Sequence, residues 1–155
     1  MMGSGKTTIG KVLSENLRFH FEDLDKTIES IFKLSTNEIF LKYGEKEFRN
    51  AETKALLNSE AVIISCGGGV ILKRENRSFI KKGVSFFLNV DLNELVRRLE
   101  HANNRPLLNS KNLKEDLESL WKKRKDLYLD TADYVININN ESPNDIAQKI
   151  MEYVK

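Results

Sequence analysis

The stretch MMGSGKTT, residues 1–8, decides which fold this chain is expected to adopt. Its Gly5-Lys6-Thr7 core fills the last three fixed places of the phosphate-binding loop G-x-x-x-x-G-K-[ST]. The residues that follow, as far as Leu17, carry apolar side chains at helical spacing. A glycine-rich loop that leads into a helix directs backbone N–H groups and the positive helix end toward phosphate. The chain is therefore predicted to bind a nucleoside triphosphate.

The front of this motif is absent from the sequence. The first glycine of the pattern would fall just before Met1, and a P-loop normally hangs from the C-terminal end of a strand. In doubly wound sheets that strand tends to be an interior one. We therefore expect either that the native chain has upstream residues that supply the strand, or that this version is damaged.

Length and composition favour one soluble domain. A single compact domain over residues 1–155 is expected, because 40% hydrophobic and 31% charged residues are ordinary for a globular protein with a core. The net charge of +2 is too small to indicate nucleic-acid binding. One cysteine, Cys66, excludes an internal disulfide. With no signal segment and no membrane-length apolar run, a cytoplasmic protein is expected.

Helix-like and strand-like patterns alternate along the chain, which predicts an α/β fold with a parallel sheet. Strands are predicted at 19–21, 61–65, 84–90 and 134–138. Helices are predicted at about 6–17, 27–32, 36–43, 45–57, 73–81, 92–100, 113–129 and 143–154. Three of these helices begin at recognisable caps, namely Ser35 with Glu38, Asp91 with Glu94, and Ser142 with Pro143.

Asp23 and Asp25 lie two residues apart at the end of the first predicted strand. On extended backbone both side chains would point to one side. One carboxylate can serve the hydration shell of a metal ion, and the other can accept a hydrogen bond from a substrate hydroxyl. The alternative interpretation is a pair that caps the next helix.

Glycines and arginines mark further candidate positions. The run Gly67-Gly68-Gly69 follows a buried strand and lets backbone approach a ligand closely, unless it is only a flexible connector. The forked donors of Arg49, Arg105 and Arg124 suit carboxylates and phosphates, although each could be a surface residue. The basic run 122–125 could be a solvated helix face or a weak nucleic-acid patch. Cys66 is expected to be a small buried residue, and His20 and His101 structural or surface residues.

Taken in order, these motifs resemble the shikimate kinase family over Met2 to Pro143, almost the whole chain. The elements that carry the resemblance are Gly3-Ser4-Gly5-Lys6-Thr7-Thr8, Asp23-x-Asp25-x-x-Ile28-Glu29, Glu38-Ile39-Phe40, Gly44-Glu45-x-x-Phe48-Arg49-x-x-Glu52, Gly67-Gly68-Gly69, Arg105-Pro106-Leu107-Leu108 and Arg124-x-x-Leu127-Tyr128. The resemblance implies a P-loop, nucleoside-monophosphate-kinase-like three-layer fold. In it a parallel sheet, five-stranded in the family and here without its first strand, is flanked by helices. It also implies a shikimate-binding region at about 25–58 and a small lid at about 101–112.

The resemblance further implies the reaction and the roles of single residues. The activity would be ATP-dependent phosphorylation of the 3-hydroxyl of shikimate, a step toward chorismate and the aromatic amino acids. The expected ATP-binding residues are Gly3, Ser4, Gly5, Lys6, Thr7, Thr8, Arg98, Arg105 and Pro143. The expected shikimate-binding residues are Asp25, Arg49, Gly67, Gly68, Gly69 and Arg124, with Phe40 and Phe48 as an apolar wall. Thr7 directly, and Asp23 through water, would hold Mg²⁺, and Lys6, Asp25 and Arg105 are the expected catalytic residues.

Two positions depart from the family pattern. Cys66 stands where the family often has threonine, and Glu141 stands where some relatives carry a basic residue. The competing functions are a truncated relative that no longer catalyses, and another small-metabolite kinase with a P-loop, such as gluconate kinase. The expected partners are small molecules only, without nucleic acid or membrane, and the protein is expected to be a monomer.

Overall fold

The computed structural model describes residues 1–100 and 112–154. In these ranges the helices are α1 (Lys6–Leu17), α2 (Leu24–Phe32), α3 (Thr36–Leu57), α4 (Arg74–Ile80), α5 (Leu92–Leu99), α6 (Leu113–Thr131) and α7 (Pro143–Tyr153). The strands are β1 (Phe21–Asp23), β2 (Ile63–Ser65), β3 (Phe86–Val90) and β4 (Tyr134–Ile138). A 3₁₀ turn, Val70–Leu72, was not anticipated.

The strands are parallel, as predicted, and form two separate pairs in the described part of the chain. Phe21 of β1 lies opposite Ile63 of β2, and Phe86 of β3 lies opposite Tyr134 of β4. The phosphate-loop residues lie between the β1–β2 pair and the β3–β4 pair. A β-carbon on Gly68, after β2, would be 3.4 Å from the Met2 nitrogen, and one on Gly3 would be 3.1 Å from Leu99 of α5.

The helices cover these strands and close the core. Helix α1 contacts β1, β2 and α7, while α6 contacts α5 and the 3₁₀ turn. The most deeply buried large apolar side chains come from α2, α3, α5 and α6, and they are Leu24, Ile28, Ile39, Leu56, Leu95 and Leu117. Among the described residues, none of the helices has the length and apolar character needed to cross a membrane.

The boundaries predicted for the first strand, and for the helix that follows it, are wrong. The strand lies at Phe21–Asp23 and the helix starts at Leu24, because the Asp23 side chain caps it by accepting from the Lys26 N–H at 3.3 Å. Asp25 therefore sits in the first helical turn. The expectation that Asp23 and Asp25 share one side of an extended segment is wrong, and the capping alternative holds for Asp23.

Gly44 divides α3 where the sequence predicted a break. Its φ of 81° and ψ of 167° are not helical, and φ in this range favours glycine. Ser35 and Glu38 form the predicted capping box at the start of α3. The break separates a segment at 36–43 from one at 45–57, and both carry predicted site residues.

Candidate active site

The phosphate loop has the backbone that its glycines predict. Gly3 and Gly5 adopt φ angles of 75° and 89°, and α1 begins directly afterwards at Lys6. Ser4 Oγ and Lys6 Nζ both donate to the Met1 carbonyl, at 2.9 Å and 2.8 Å. These bonds curl the loop around the start of the helix, where Thr8 is exposed.

The N-terminus of α1 is suited to an anion. Its cap residue, Gly5, offers no side chain to the first N–H groups, and its first turn carries no acidic residue. Every other α-helix in ranges 1–100 and 112–154 has a side-chain cap, an acidic first turn, or both. Since uncapped N–H groups need an acceptor, α1 is the helix best prepared to bind phosphate.

Thr7 and Asp23 meet beside this loop. The Thr7 hydroxyl donates to Asp23 Oδ2, while Asp23 Oδ1 caps α2. A hydroxyl and a carboxylate are hard oxygen donors of the kind that Mg²⁺ uses, and Mg²⁺ takes few protein ligands beside water and phosphate. The pair therefore fits the expected magnesium position, although no cluster of three or more His, Cys, Asp or Glu side chains occurs among the described residues.

Arg49 contacts several side chains of its own helix. Its Nε and Nη2 each lie 3.2 Å from Glu45 Oε1, and its Nη1 lies 2.7 Å from Glu52 Oε2. The Phe48 and Phe40 rings lie 5.3 Å and 5.9 Å from the guanidinium carbon. The guanidinium and the predicted apolar wall therefore form one surface.

The three consecutive glycines leave room for these charged side chains. A β-carbon on Gly67 would lie 2.8 Å from both Asp25 Oδ1 and Glu52 Oε1. One on Gly69 would lie 2.3 Å from the guanidinium of Arg49. The glycines with positive φ among the described residues are Gly3, Gly5 and Gly44, so this turn needs glycine for space. It is not merely a flexible connector.

Helix α6 closes the site from the other side. Arg124 Nη1 lies 3.2 Å from the Gly68 carbonyl, and the Tyr128 hydroxyl also donates to that oxygen. Arg124 is only 5% exposed, whereas Lys122, Lys123 and Lys125 are exposed. The solvated-face interpretation of run 122–125 thus holds for the three lysines and fails for the arginine.

Charged groups of the phosphate loop and of the Arg49 cluster both influence the end of β2. Burial raises the pKa of the Cys66 thiol to about 12, with the carboxylate of Glu52 adding to the effect. The ammonium of Lys6 opposes this rise, and the carboxylates of Asp25 and Asp23 add to it. Cys66 therefore lies within the electrostatic reach of the phosphate loop and of the arginine cluster.

Glu52 is the most unusual charged group of this site. Its side chain is fully buried, and burial raises its pKa against the opposing effect of Arg49. Its Oε1 has no hydrogen-bond partner among the described residues. This oxygen borders the same space at Gly67 as Asp25 Oδ1, so two carboxylates face that point.

The remaining predicted residues are more widely placed. Arg98 Nη1 lies 3.3 Å from the Gly3 carbonyl, so Arg98 joins the phosphate loop. Pro143 is an exposed residue in the first turn of α7, and His20 is exposed. Arg105, His101 and the lid at about 101–112 lie outside the described residues, apart from Asn112, so their roles stay predictions.

Three site residues, Glu45, Glu52 and Tyr128, belong to the motifs that carry the resemblance, but the sequence assigned them no role. A signal for the two glutamates was present, because they lie four residues before and three residues after Arg49 on one helix. Tyr128 carries no such local signal, since it meets a carbonyl 60 positions away in the sequence.

Comparison with known proteins identifies the family of this chain. A family model described as "Shikimate kinase" matches residues 2–155. The chain belongs to the shikimate kinase family. A shikimate kinase of Synechococcus elongatus is 40% identical, with 99% of this chain and 83% of that protein covered. One of Thermodesulfovibrio yellowstonii is 39% identical, with 97% and 89% covered.

Solved structures of shikimate kinases share the fold. A shikimate kinase from Acinetobacter baumannii in complex with shikimate superposes with a TM-score of 0.94 at 37% identity, covering 99% of this chain and 88% of that one. A shikimate kinase from Aquifex aeolicus gives a TM-score of 0.84 at 30% identity, covering 99% and 92%. The predicted nucleoside-monophosphate-kinase-like fold is therefore confirmed. This chain is an ATP-dependent shikimate kinase.

Proposed function

We propose that this shikimate kinase moves the γ-phosphoryl group of ATP to the 3-hydroxyl of shikimate with the residues gathered around Gly67–Gly69. The observation that carries the proposal is the meeting of Arg49, Arg124 and Asp25 at that turn. Two guanidinium groups beside a carboxylate match a substrate with one carboxylate and several hydroxyls.

Each side of the substrate would have its own protein partner. Arg49 and Arg124 would hold the carboxylate, because both lie against the glycine turn with donors directed to it or near it. Phe40 and Phe48, whose ring centroids are 4.8 Å apart, would cover the apolar part of the substrate ring. Asp25 would accept a hydrogen bond from the attacking hydroxyl and orient it, as a positioned base does.

The phosphate half would hold ATP. The uncapped N–H groups of α1 would bind the phosphates, with Gly3, Ser4 and Gly5 shaping the loop and Thr8 at its exposed side. Lys6 would leave the Met1 carbonyl, 2.8 Å away here, and neutralise the β- and γ-phosphates. Arg105 from the predicted lid would add positive charge at the same place, and Arg98 and Pro143 would flank the adenine.

Thr7 and Asp23 would hold Mg²⁺, Thr7 directly and Asp23 through a water molecule. When bound, this ion supplies positive charge that stabilises the phosphate oxygens of ATP. The two oxygen-bearing side chains would exchange their mutual hydrogen bond for this role. We also propose that the enzyme is a cytoplasmic monomer that acts only on small molecules.

The proposal is tested by comparing Arg124→Ala with Lys123→Ala, which removes the same charge from the neighbouring exposed position. Equilibrium dialysis should give a dissociation constant for shikimate raised at least about tenfold in Arg124→Ala, the scale expected for a lost charge-assisted hydrogen bond. ATP binding should change less than about twofold, and Lys123→Ala should resemble the unmodified protein for both ligands. Equal losses for shikimate and ATP would count against the assignment of Arg124.

A further inference from the structure

Glu45 occupies the forked edge of Arg49. The Nε and Nη2 atoms of Arg49 both lie 3.2 Å from Glu45 Oε1. These two nitrogens form the side of a guanidinium group that binds a carboxylate through two parallel hydrogen bonds. A side-chain carboxylate thus sits where a carboxylate of the substrate would be recognised.

The two glutamates that contact Arg49 differ in their freedom to move. Glu52 is fully buried and holds Nη1 at 2.7 Å, whereas the side chain of Glu45 is 47% exposed. Glu45 also directly follows the break at Gly44, where even a β-carbon would meet nothing within 4 Å. Glu45 can therefore swing into solvent while Glu52 keeps the arginine in place.

The guanidinium itself has little room to follow. One of its faces lies against Gly69, and the Phe48 and Phe40 rings lie 5.3 Å and 5.9 Å from its central carbon. We therefore expect an incoming carboxylate to bind the guanidinium of Arg49 in its present position. The contact that breaks on binding is then the one between Arg49 and Glu45.

We propose that Glu45 is a gate that fills the carboxylate-binding edge of Arg49 in the ligand-free enzyme and is displaced by the carboxylate of the substrate. This inference rests on the proposed role of Arg49 in binding shikimate. A ligand with a carboxylate regains the charge-assisted bonds that Glu45 gives up. A neutral ligand of the same shape forms no such bonds and would bind with Glu45 still in contact with Arg49, so the removal of Glu45 would not affect its binding.

The gate has a modest energetic cost. A half-exposed pair between residues four apart on a helix is weak. Its removal should therefore tighten binding of shikimate about two- to fivefold. Binding of shikimate methyl ester, which lacks the anionic group, should stay within the error of the unmodified protein.

The experiment is isothermal titration of shikimate and of its methyl ester into the unmodified chain, Glu45→Gln and Glu47→Gln. Glu47 is an exposed residue on the same helical segment, so its variant controls for the loss of one negative charge. Circular dichroism spectra of the three proteins establish that each one is folded. The proposal predicts tighter shikimate binding in Glu45→Gln alone.

Three results would overturn the gate. They are unchanged or weaker binding of shikimate by Glu45→Gln, an equal gain for the methyl ester, and an equal gain in Glu47→Gln. If the folded unmodified chain and both variants failed to bind shikimate at all, the proposed role of Arg49 would fall and the gate with it. Failure of the gate is thus distinguishable from failure of the substrate assignment.

Discussion

The guanidinium group of Arg49 lies flat against Gly69. A β-carbon at residue 69 would be 2.3 Å from Cζ, Nη1 and Nη2 of Arg49, far inside van der Waals contact. The φ of Gly69 is −104°, a value open to any residue, so glycine is required here only for room. The arginine on α3 and the turn after β2 therefore pack directly against each other.

Replacing Gly69 by alanine should expel the Arg49 guanidinium from its place. Because the added carbon takes the volume of the guanidinium, we expect the KM for shikimate to rise about tenfold or more, and the KM for ATP to change less than about twofold. Steady-state kinetics with each substrate varied in turn measures both constants. Gly83→Ala is the control, since its β-carbon would meet nothing closer than the Ile80 carbonyl at 3.9 Å. An unchanged KM for shikimate would show that Arg49 does not act from this position.

Tyr128 is expected to position the glycine turn through its hydroxyl. Tyr128→Phe keeps the ring, which stacks on Phe87 at 4.9 Å, and loses the bond to the Gly68 carbonyl. Arg124 still contacts that carbonyl, so we expect a several-fold rise in the KM for shikimate, about the worth of one hydrogen bond. Tyr134→Phe, in an exposed position on β4, should leave both KM values unchanged. Unchanged kinetics in Tyr128→Phe would show that the Tyr128 hydroxyl does not position the glycine turn.

Glu52 should make stability depend on pH. Burial raises its pKa above the ordinary 4.5, so the folded protein keeps the proton over a range where the unfolded chain has lost it. Its favourable contribution is complete below the ordinary pKa and is lost as pH rises through the raised one. Relative to Glu52→Gln, the unmodified protein should lose unfolding free energy with rising pH, by at most about 1.4 kcal/mol per pH unit. Urea unfolding of both proteins at several pH values measures this slope. If the free energy of unfolding changed with pH in the same way for both proteins, the role of Glu52 would be refuted.

Cys66 should resist alkylation in the folded protein. Its pKa of about 12 leaves almost no thiolate near neutral pH, and thiolate is the reactive form. Iodoacetamide should therefore label native protein at a small fraction of the rate seen in denaturant. Mass spectrometry follows this cleanly because the chain contains one cysteine. Rapid labelling of native protein would contradict the raised pKa of this half-buried thiol.

Local sequence signals predicted the elements whose ends they control. Ser35 and Glu38 form the predicted capping box of α3, and the predicted Ser142-Pro143 pair starts α7. Asp145 completes a second capping box with Ser142, and such caps act within one turn. Asp23 also acts locally as a cap at the end of β1, but the sequence pattern predicts extended backbone as far as Asp25, where the structure has the first turn of α2. The boundary was therefore missed by three residues, with the helix starting at Leu24.

The contacts that shape the site depend on residues far apart in the sequence. The sequence predicts that Gly67–Gly69 matter, but the reason is the volume of Asp25, Glu52 and Arg49 brought there by other elements. In the same way, run 122–125 does not reveal that Arg124 is buried while its neighbours are solvated. Residue types and spacing predict chemistry, whereas the geometry of the site requires the fold.

The most direct test is ADP formation by this chain with Mg²⁺ and ATP, with and without shikimate, beside Asp25→Asn. We predict turnover that depends on shikimate, and a loss of at least about 10²-fold in Asp25→Asn with ATP binding nearly intact, as for a removed general base. ADP formation at the same rate with and without shikimate would contradict the substrate assignment. A wild-type rate in Asp25→Asn would remove Asp25 from the chemistry.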